Sequence, residues 1–431
     1  MDAEAARGGV AAPTTDEVVD LLAPPEGVPP VTADAAGLAG LAERLAAGHG
    51  PVAVDAERAS GFRYSARAYL VQLRREGAGS ALVDPIACGG DLSVLGQALR
   101  GVEWVLHAAS QDLACLAEVG MAPDKLFDTE LAGRLAGHPR VGLGPLAESL
   151  LGVRLQKGHG AADWSQRPLP ADWLVYAALD VELLVAMRDL LAADLAAQGK
   201  QRWAEEEFEA VRLAGPPARR AEPWRRASGV HKVRKARQLA VVRALWESRD
   251  TLAAARDVAP GRLLPDAAIV DAAVREPTDR EALAGMPVFR GRAQRRLADR
   301  WWGAVAAGRA LPREELPDTS PASEGPPPAN RWADRDPDAA ARLAAARAGL
   351  ADIAERTSTP IENLLQPDAV RRLCWSPPPN APPHAPDDAA ARAAVNATLA
   401  GLGARPWQRE LAVAMLTEAL TASAPLAPDP A

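Results

Sequence analysis

At 431 residues, with 48% hydrophobic and 24% charged residues, the chain has material for roughly two to four domains rather than one. Its net charge of −7 excludes a protein coated in basic surface, so any contact with nucleic acid must be local. Three scattered cysteines make neither a metal spacing nor a disulfide framework, and no apolar run approaches the ~20 residues that span a bilayer, so a soluble, cytoplasmic protein is expected.

Residues 1–35 are rich in Pro, Gly and small residues and read as a flexible lead-in. A helical apolar spacing follows in "AAGLAGLAERLAAG", closed by Gly48 and Gly50 ahead of a strand at 52–57. "RAYLVQLRR" and "ALVD" (81–84), either side of the Gly77–Gly79 turn, predict a hairpin. "VEWVLHAA" (102–109) predicts a buried strand with a helix directly after it. "LFD" (126–128) is a further short strand, and a long helical stretch runs from about 170 to 212. Meandering strands, then alternating strand and helix, then helices imply an α/β unit with a mixed sheet flanked by helices. Composition shifts then divide the rest. A linker is expected at 214–228, a helical unit at 229–311, a Pro-rich linker at 312–330, a second helical unit at 331–422 and a tail at 423–431; the α/β unit is 36–213.

The acids carry the chemistry. Asp55 and Glu57 lie two apart on a predicted strand and so share one face. Alone, such a pair is as well explained by solvent or by a salt bridge to Arg58 as by a divalent cation. Asp112 follows the 102–109 strand in the first turn of a helix, where an acid suits the helix dipole but where α/β sheets also place their sites. Tyr176 and Asp180, four apart in "WLVYAALDVELL", share a helix face with apolar neighbours, an unusual setting for an Asp.

Taken in order, D-x-E, then Asp, then Tyr-x-x-x-Asp resembles the DEDD family of 3′–5′ exonucleases in its Tyr-containing branch, and within it the ribonuclease D family. "RAYLVQL", "HAASQDL", "FDTELA" (127–132) and "LGVRLQKGHGAADWSQRPL" (151–169) agree, so the resemblance covers roughly 40–205. It implies an RNase H-like exonuclease domain. It also implies catalytic roles for Asp55, Glu57, Asp112, Tyr176 and Asp180, with the four acids holding two divalent metal ions, Mg²⁺ or Mn²⁺. RNA with a free 3′ end, tRNA precursors included, would be shortened by one nucleoside 5′-monophosphate at a time. A DNA exonuclease, or a non-catalytic RNA-binding protein with a degenerate site, is the alternative. Arg58 departs from the aromatic or apolar residue usual after the Glu.

"HKVRKARQLAVVRALWESRDTLAAARDVAPGRLLPDAAI" (231–269) resembles the helicase-and-ribonuclease-D C-terminal (HRDC) domain, and 331–375 a weaker second copy, so two all-α domains are expected behind the nuclease. Contacts to substrate are candidates at His107, Lys157, Trp164 and Arg167 around the second and third motifs, although a buried, satisfied strand-end histidine and a surface loop without function have the same composition. Arg225, Arg226, Lys232, Arg234 and Lys235, interleaved with Trp224, form a basic run suited to a phosphate backbone, although a solvated helix face has the same composition.

Overall fold

The computed structural model describes residues 18–155, 158–216, 220–320, 325–379 and 389–423. Strands β1 (Val19–Leu21) and β2 (Val31–Thr32) come first, then helix α1 (Ala35–Ala47). Asp34 caps α1 by accepting from Gly37 N–H, and Leu38, Leu41, Ala42 and Leu45 recur at helical spacing on its buried face. The chain leaves the helix at Gly48, where a Cβ would stand 2.9 Å from the carbonyl oxygen of Glu76; only glycine lets the two backbones approach so closely.

Strand β3 (His49–Arg58) is the axis of the molecule. It pairs antiparallel with β4 (Ala68–Glu76) on one side and parallel with β6 (Glu103–Leu106) on the other. With β5 (Gly79–Val83) and β7 (Lys125–Asp128) the sheet reads β2-β5-β4-β3-β6-β7, while β1 pairs separately with β8 (Val153–Leu155). Because β3, β6 and β7 run parallel, their C-terminal ends meet at one edge, the edge at which α/β sheets place their sites. Helices α2 (Ser93–Ala98), α3 (Leu113–Glu118), α4 (Thr129–Ala136) and α5 (Leu143–Leu151) fill the connections. Three helices then follow: α6 (Ala171–Glu182), α7 (Leu184–Ala197) and α8 (Gln201–Leu213).

Several expectations need correction. Within the segment read as a flexible lead-in, Val19–Leu21 and Val31–Thr32 are strands, paired with β8 and β5 respectively. The strand predicted over 102–109 stops at Leu106, because Ala108 takes a left-handed conformation (φ 57°) and the chain turns into a short 3₁₀ helix. The helical stretch expected over 170–212 is helical, divided into three helices.

The middle helical unit has a core of its own, built on the helix Ala236–Arg256 packed against Ala298–Ala310 and including Val242, Leu245, Ile269, Trp301 and Val305. Gly308 makes that packing possible, since a Cβ there would meet Val241 Cα at 2.7 Å. The last helical unit (Pro337–Thr357, Pro367–Trp375, Ala389–Gly401 and Pro406–Ala419) instead shares one apolar cluster with the α/β unit. Trp407 stacks on Trp203 of α8, 4.8 Å between ring centres, and donates its indole N–H to Glu207.

Candidate active site

Side chains alternate along β3, so Asp55 and Glu57 project from the same face, the one under which α6 lies. Asp180 comes from α6, and one ligand oxygen of each of the three acids lies within 4.8 Å of the others. None of the three has a cation within ion-pair distance among the described residues, although the Arg58 charge reaches Asp55 and Glu57 from farther off. Asp112, buried in the turn after β6, stands beside this trio but faces Arg58, whose Nη2 is 3.5 Å from its Oδ1. Arg58 therefore does pair with an acid, but with Asp112 rather than with its strand neighbours.

Burial raises the carboxyls of all four acids above the ordinary range, and their proximity adds to it. Glu57 is pushed up to about 10, first by burial and then by the charges of Asp55, Asp180 and Asp112. Four mutually repelling carboxyls, raised by burial in spite of the Arg58 charge near Asp55, Glu57 and Asp112, are unfavourable on their own and fit a site for divalent cations, which need hard oxygen ligands and cancel the repulsion.

Tyr176 sits one turn before Asp180 and hydrogen-bonds to it. Burial, followed by the charges of Asp180, Glu57 and Asp55, pushes its phenol well above the usual range, so it stays protonated and donates. Gly158 and Gly160 cradle the ring: a Cβ on Gly158 would meet Tyr176 Cδ2 at 3.3 Å, and one on Gly160 the hydroxyl at 3.4 Å.

The contacts expected from flanking residues fare differently. Trp164 is fully buried, with its N–H on the carbonyl of His159, and offers no face to a base. Arg167 gives its donors to Asp84 Oδ2 (2.5 Å) and to the carbonyls of Tyr69, Trp164 and Gln166, an internal brace rather than a phosphate contact. His107 is half-buried, its Nδ1 2.9 Å from Thr129 Oγ1, and burial lowers it to about 4, so it is neutral. Lys157 lies outside the described residues. In the basic run, Trp224 is a core residue with Arg225 over its ring, and Arg225 also pairs with Glu222. Lys235 pairs with Glu276, whereas Arg226, Lys232 and Arg234 are exposed.

Sequence reasoning gave no role to two supports. Asp128, in "FDTELA", accepts from the backbone N–H groups of Ala108, Ala109, Glu130 and Leu131, and so ties the start of α4 to the turn that carries Asp112. The signal was there in an Asp placed to cap a helix. Gln72 lies directly across from Asp55 on β4, fully buried, with both carboxamide atoms lacking a hydrogen-bond partner among the described residues. No sequence pattern marks such a group.

Sequence profiles described as "3'-5' exonuclease", "HRDC domain" and "3' to 5' exonuclease C-terminal domain" match residues 31–196, 238–305 and 325–420 respectively. The ribonuclease D of Gluconacetobacter diazotrophicus is 36% identical over 285 residues, covering 64% of this chain and 71% of that protein. The chain belongs to the ribonuclease D family. A second ribonuclease D, from Acidiphilium cryptum, is 36% identical over 307 residues, 67% of this chain and 75% of the relative. Among solved structures, a protein from Bifidobacterium adolescentis superposes with a TM-score of 0.86 at 37% identity, covering 94% of this chain and all of that one. Escherichia coli RNase D, an exoribonuclease involved in structured RNA processing, gives 0.63 at 25% identity, with 80% and 90% covered. As a ribonuclease D this chain is a 3′–5′ exoribonuclease with a nuclease domain, an HRDC domain and a helical C-terminal domain. Its fold is one that works with divalent metal ions.

Proposed function

We propose that Asp55, Glu57, Asp112 and Asp180 hold two divalent ions, Mg²⁺ or Mn²⁺, and that this site removes nucleoside 5′-monophosphates one at a time from RNA 3′ ends. The observation that carries the reading is the trio Asp55, Glu57 and Asp180, gathered within 4.8 Å with no cation at ion-pair distance among the described residues. Divalent ions bound there would supply Lewis acidity at the scissile phosphate and acidify the attacking water. The chain's own residues do the rest. Asp55 and Glu57 are fixed by a sheet strand and Asp180 by a helix, so the ligand set is rigid before substrate arrives. Tyr176, protonated and anchored on Asp180, orients the attacking water through its hydroxyl; a phenol so far above neutrality is no base.

Arg226 in the linker, with Lys232 and Arg234 at the start of the HRDC unit, gives an exposed positive edge suited to RNA phosphates away from the cleavage point. Structured RNAs with a free 3′ end, tRNA precursors among them, suit a nuclease that carries such a second grip, and the work belongs in the cytoplasm. On this reading residues 36–213 hydrolyse, 229–311 grip the substrate, and 331–422 brace the fold.

The test is digestion of a 5′-labelled RNA with a free 3′ end, in Mg²⁺ and in chelator, by wild type and D180N. The expected result is a ladder of products shortened stepwise in Mg²⁺ only, and none from D180N. Internal cleavage, or cleavage persisting in chelator, would overturn the mechanism. Faster digestion of the matching DNA would overturn the preference for RNA.

A further inference from the structure

Asp180 takes the hydroxyl of Tyr176, while the ring rests against the loop that follows β8, at Gly158 and Gly160, whose missing side chains make room for it. Between those glycines His159 turns its imidazole onto the ring edge-on, with 5.8 Å between centres. The carbonyl of the same residue accepts from Ala162 N–H at 2.8 Å and from the indole of the buried Trp164 at 3.2 Å, which closes the loop into a turn behind His159.

A loop with two glycines needs a tie if it is to hold a side chain in place, and the tie runs through the imidazole. His159 Nε2 stands 3.3 Å from Asp172 Oδ2, in the first turn of α6. Asp172, Tyr176 and Asp180 follow one another four residues apart and form one stripe along that helix. The pair therefore pins the loop to the stripe that carries Tyr176. Among the described residues it is the one ion pair or side-chain hydrogen bond from 158–163 to α6. A ring nitrogen facing a carboxylate donates to it whether the imidazole is neutral or charged. The side chains are 34% and 67% exposed, so the tie has the modest strength of a surface pair and its loss leaves the fold intact.

We infer that His159, tied to Asp172, is a positioning residue for Tyr176. The pair holds residues 158–160 against the phenol ring and so fixes where its hydroxyl meets the attacking water. This rests on the reading of Tyr176 as the group that orients that water.

The test compares wild type, H159A, D172N and H159A/D172N by NMR of the full chain with ring-¹³C tyrosine. The same proteins are measured for kcat and KM on a short single-stranded RNA and for Mn²⁺ affinity by calorimetry. The chain has three tyrosines, and Y176F identifies the signal of Tyr176. D172N removes no ring, yet it should shift that signal in the same direction as H159A does and leave the signal of Tyr64 in place. The value of kcat should fall about tenfold in H159A and about threefold in D172N, with KM and Mn²⁺ affinity within about twofold of wild type. The double variant should match H159A in both signal and kcat, because the pair acts as one unit. Four results would each overturn the inference and leave the reading of Tyr176 standing: a Tyr176 signal unmoved by D172N, an unchanged kcat in H159A, additive losses in the double variant, or a parallel loss of Mn²⁺ affinity. Wild-type kcat in Y176F would overturn that reading itself.

Discussion

Asp55, Glu57, Asp112 and Asp180 were legible because their chemistry dictates residue type: hard cations need carboxylates, and a strand and a helix face fix the spacings at which two acids can converge. Trp164, Arg167 and His107 were not legible as supports, because an arginine that holds a phosphate and one that holds four internal acceptors are the same letter. Only their neighbours in space decide. Two outcomes follow at this scale. E57Q should abolish hydrolysis, by on the order of 10³-fold or more, while raising the melting temperature in chelator, because a Glu57 pushed up to about 10 must take up a proton to stay buried among the other acids, a cost that a neutral amide does not have. A thermal melt of both proteins in chelator checks it, and a lower melting temperature for E57Q would contradict the account. Q72M should likewise melt higher than wild type, since it removes a buried carboxamide without partners, a group that costs about 1–3 kcal/mol. An unchanged or lower melting temperature would mean that Gln72 has partners after all.

The turn after β6 shows what an element adds. The apolar run "VEWVLHAA" predicts a strand as far as Ala109, but Asp128 captures the N–H groups of Ala108 and Ala109 and bends the chain away, which delivers Asp112 to the site. No local pattern in 102–109 contains that information; it lies on the neighbouring strand. D128A should leave those N–H groups unpaired, destabilise the fold by about 1–3 kcal/mol and lower activity beyond what lost stability explains. Denaturant unfolding and kcat measured side by side would test it, and full activity in the folded variant would contradict the pinning role. His107 packs against the same turn through Thr129. Its folded value of about 4 lies below the ordinary 6.5 of an unfolded histidine, so the unfolded chain binds the proton first as pH falls. Its contribution is complete above pH 6.5 and is lost on going down towards 4. H107Q should flatten that part of the stability–pH curve, and the ring of His107 should titrate near 4 by NMR; a midpoint near 6.5 would contradict it.

At the scale of the whole molecule, Pro-rich stretches made the three units visible, but not how they join. Apolar periodicity tells which face of a helix is buried and not against what. The last unit proves continuous with the nuclease core through Trp407, so W407A should cost about 3–5 kcal/mol and destabilise the nuclease domain itself, as a melt followed by activity would report. The HRDC unit docks on the loop between β3 and β4. Arg262 lies over Phe62 and donates to the carbonyl of Gly61, Ala259 N–H donates to Phe62, and Asp257 accepts from Ser65 N–H. That loop leaves the strand bearing Asp55 and Glu57, and its Arg63 holds Ser165, in the segment between the two glycines at Tyr176 and α6. D257A/R262A should therefore slow digestion of a structured RNA more than that of a short single strand; equal slowing would argue against a grip held in register with the site.

The account depends above all on where the ions sit. Anomalous diffraction from a crystal soaked in Mn²⁺ locates them without reference to activity. The expected map has a peak among Asp55, Glu57 and Asp180. A map with no peak at these three carboxylates, in a crystal whose protein hydrolyses RNA in Mn²⁺, would contradict it.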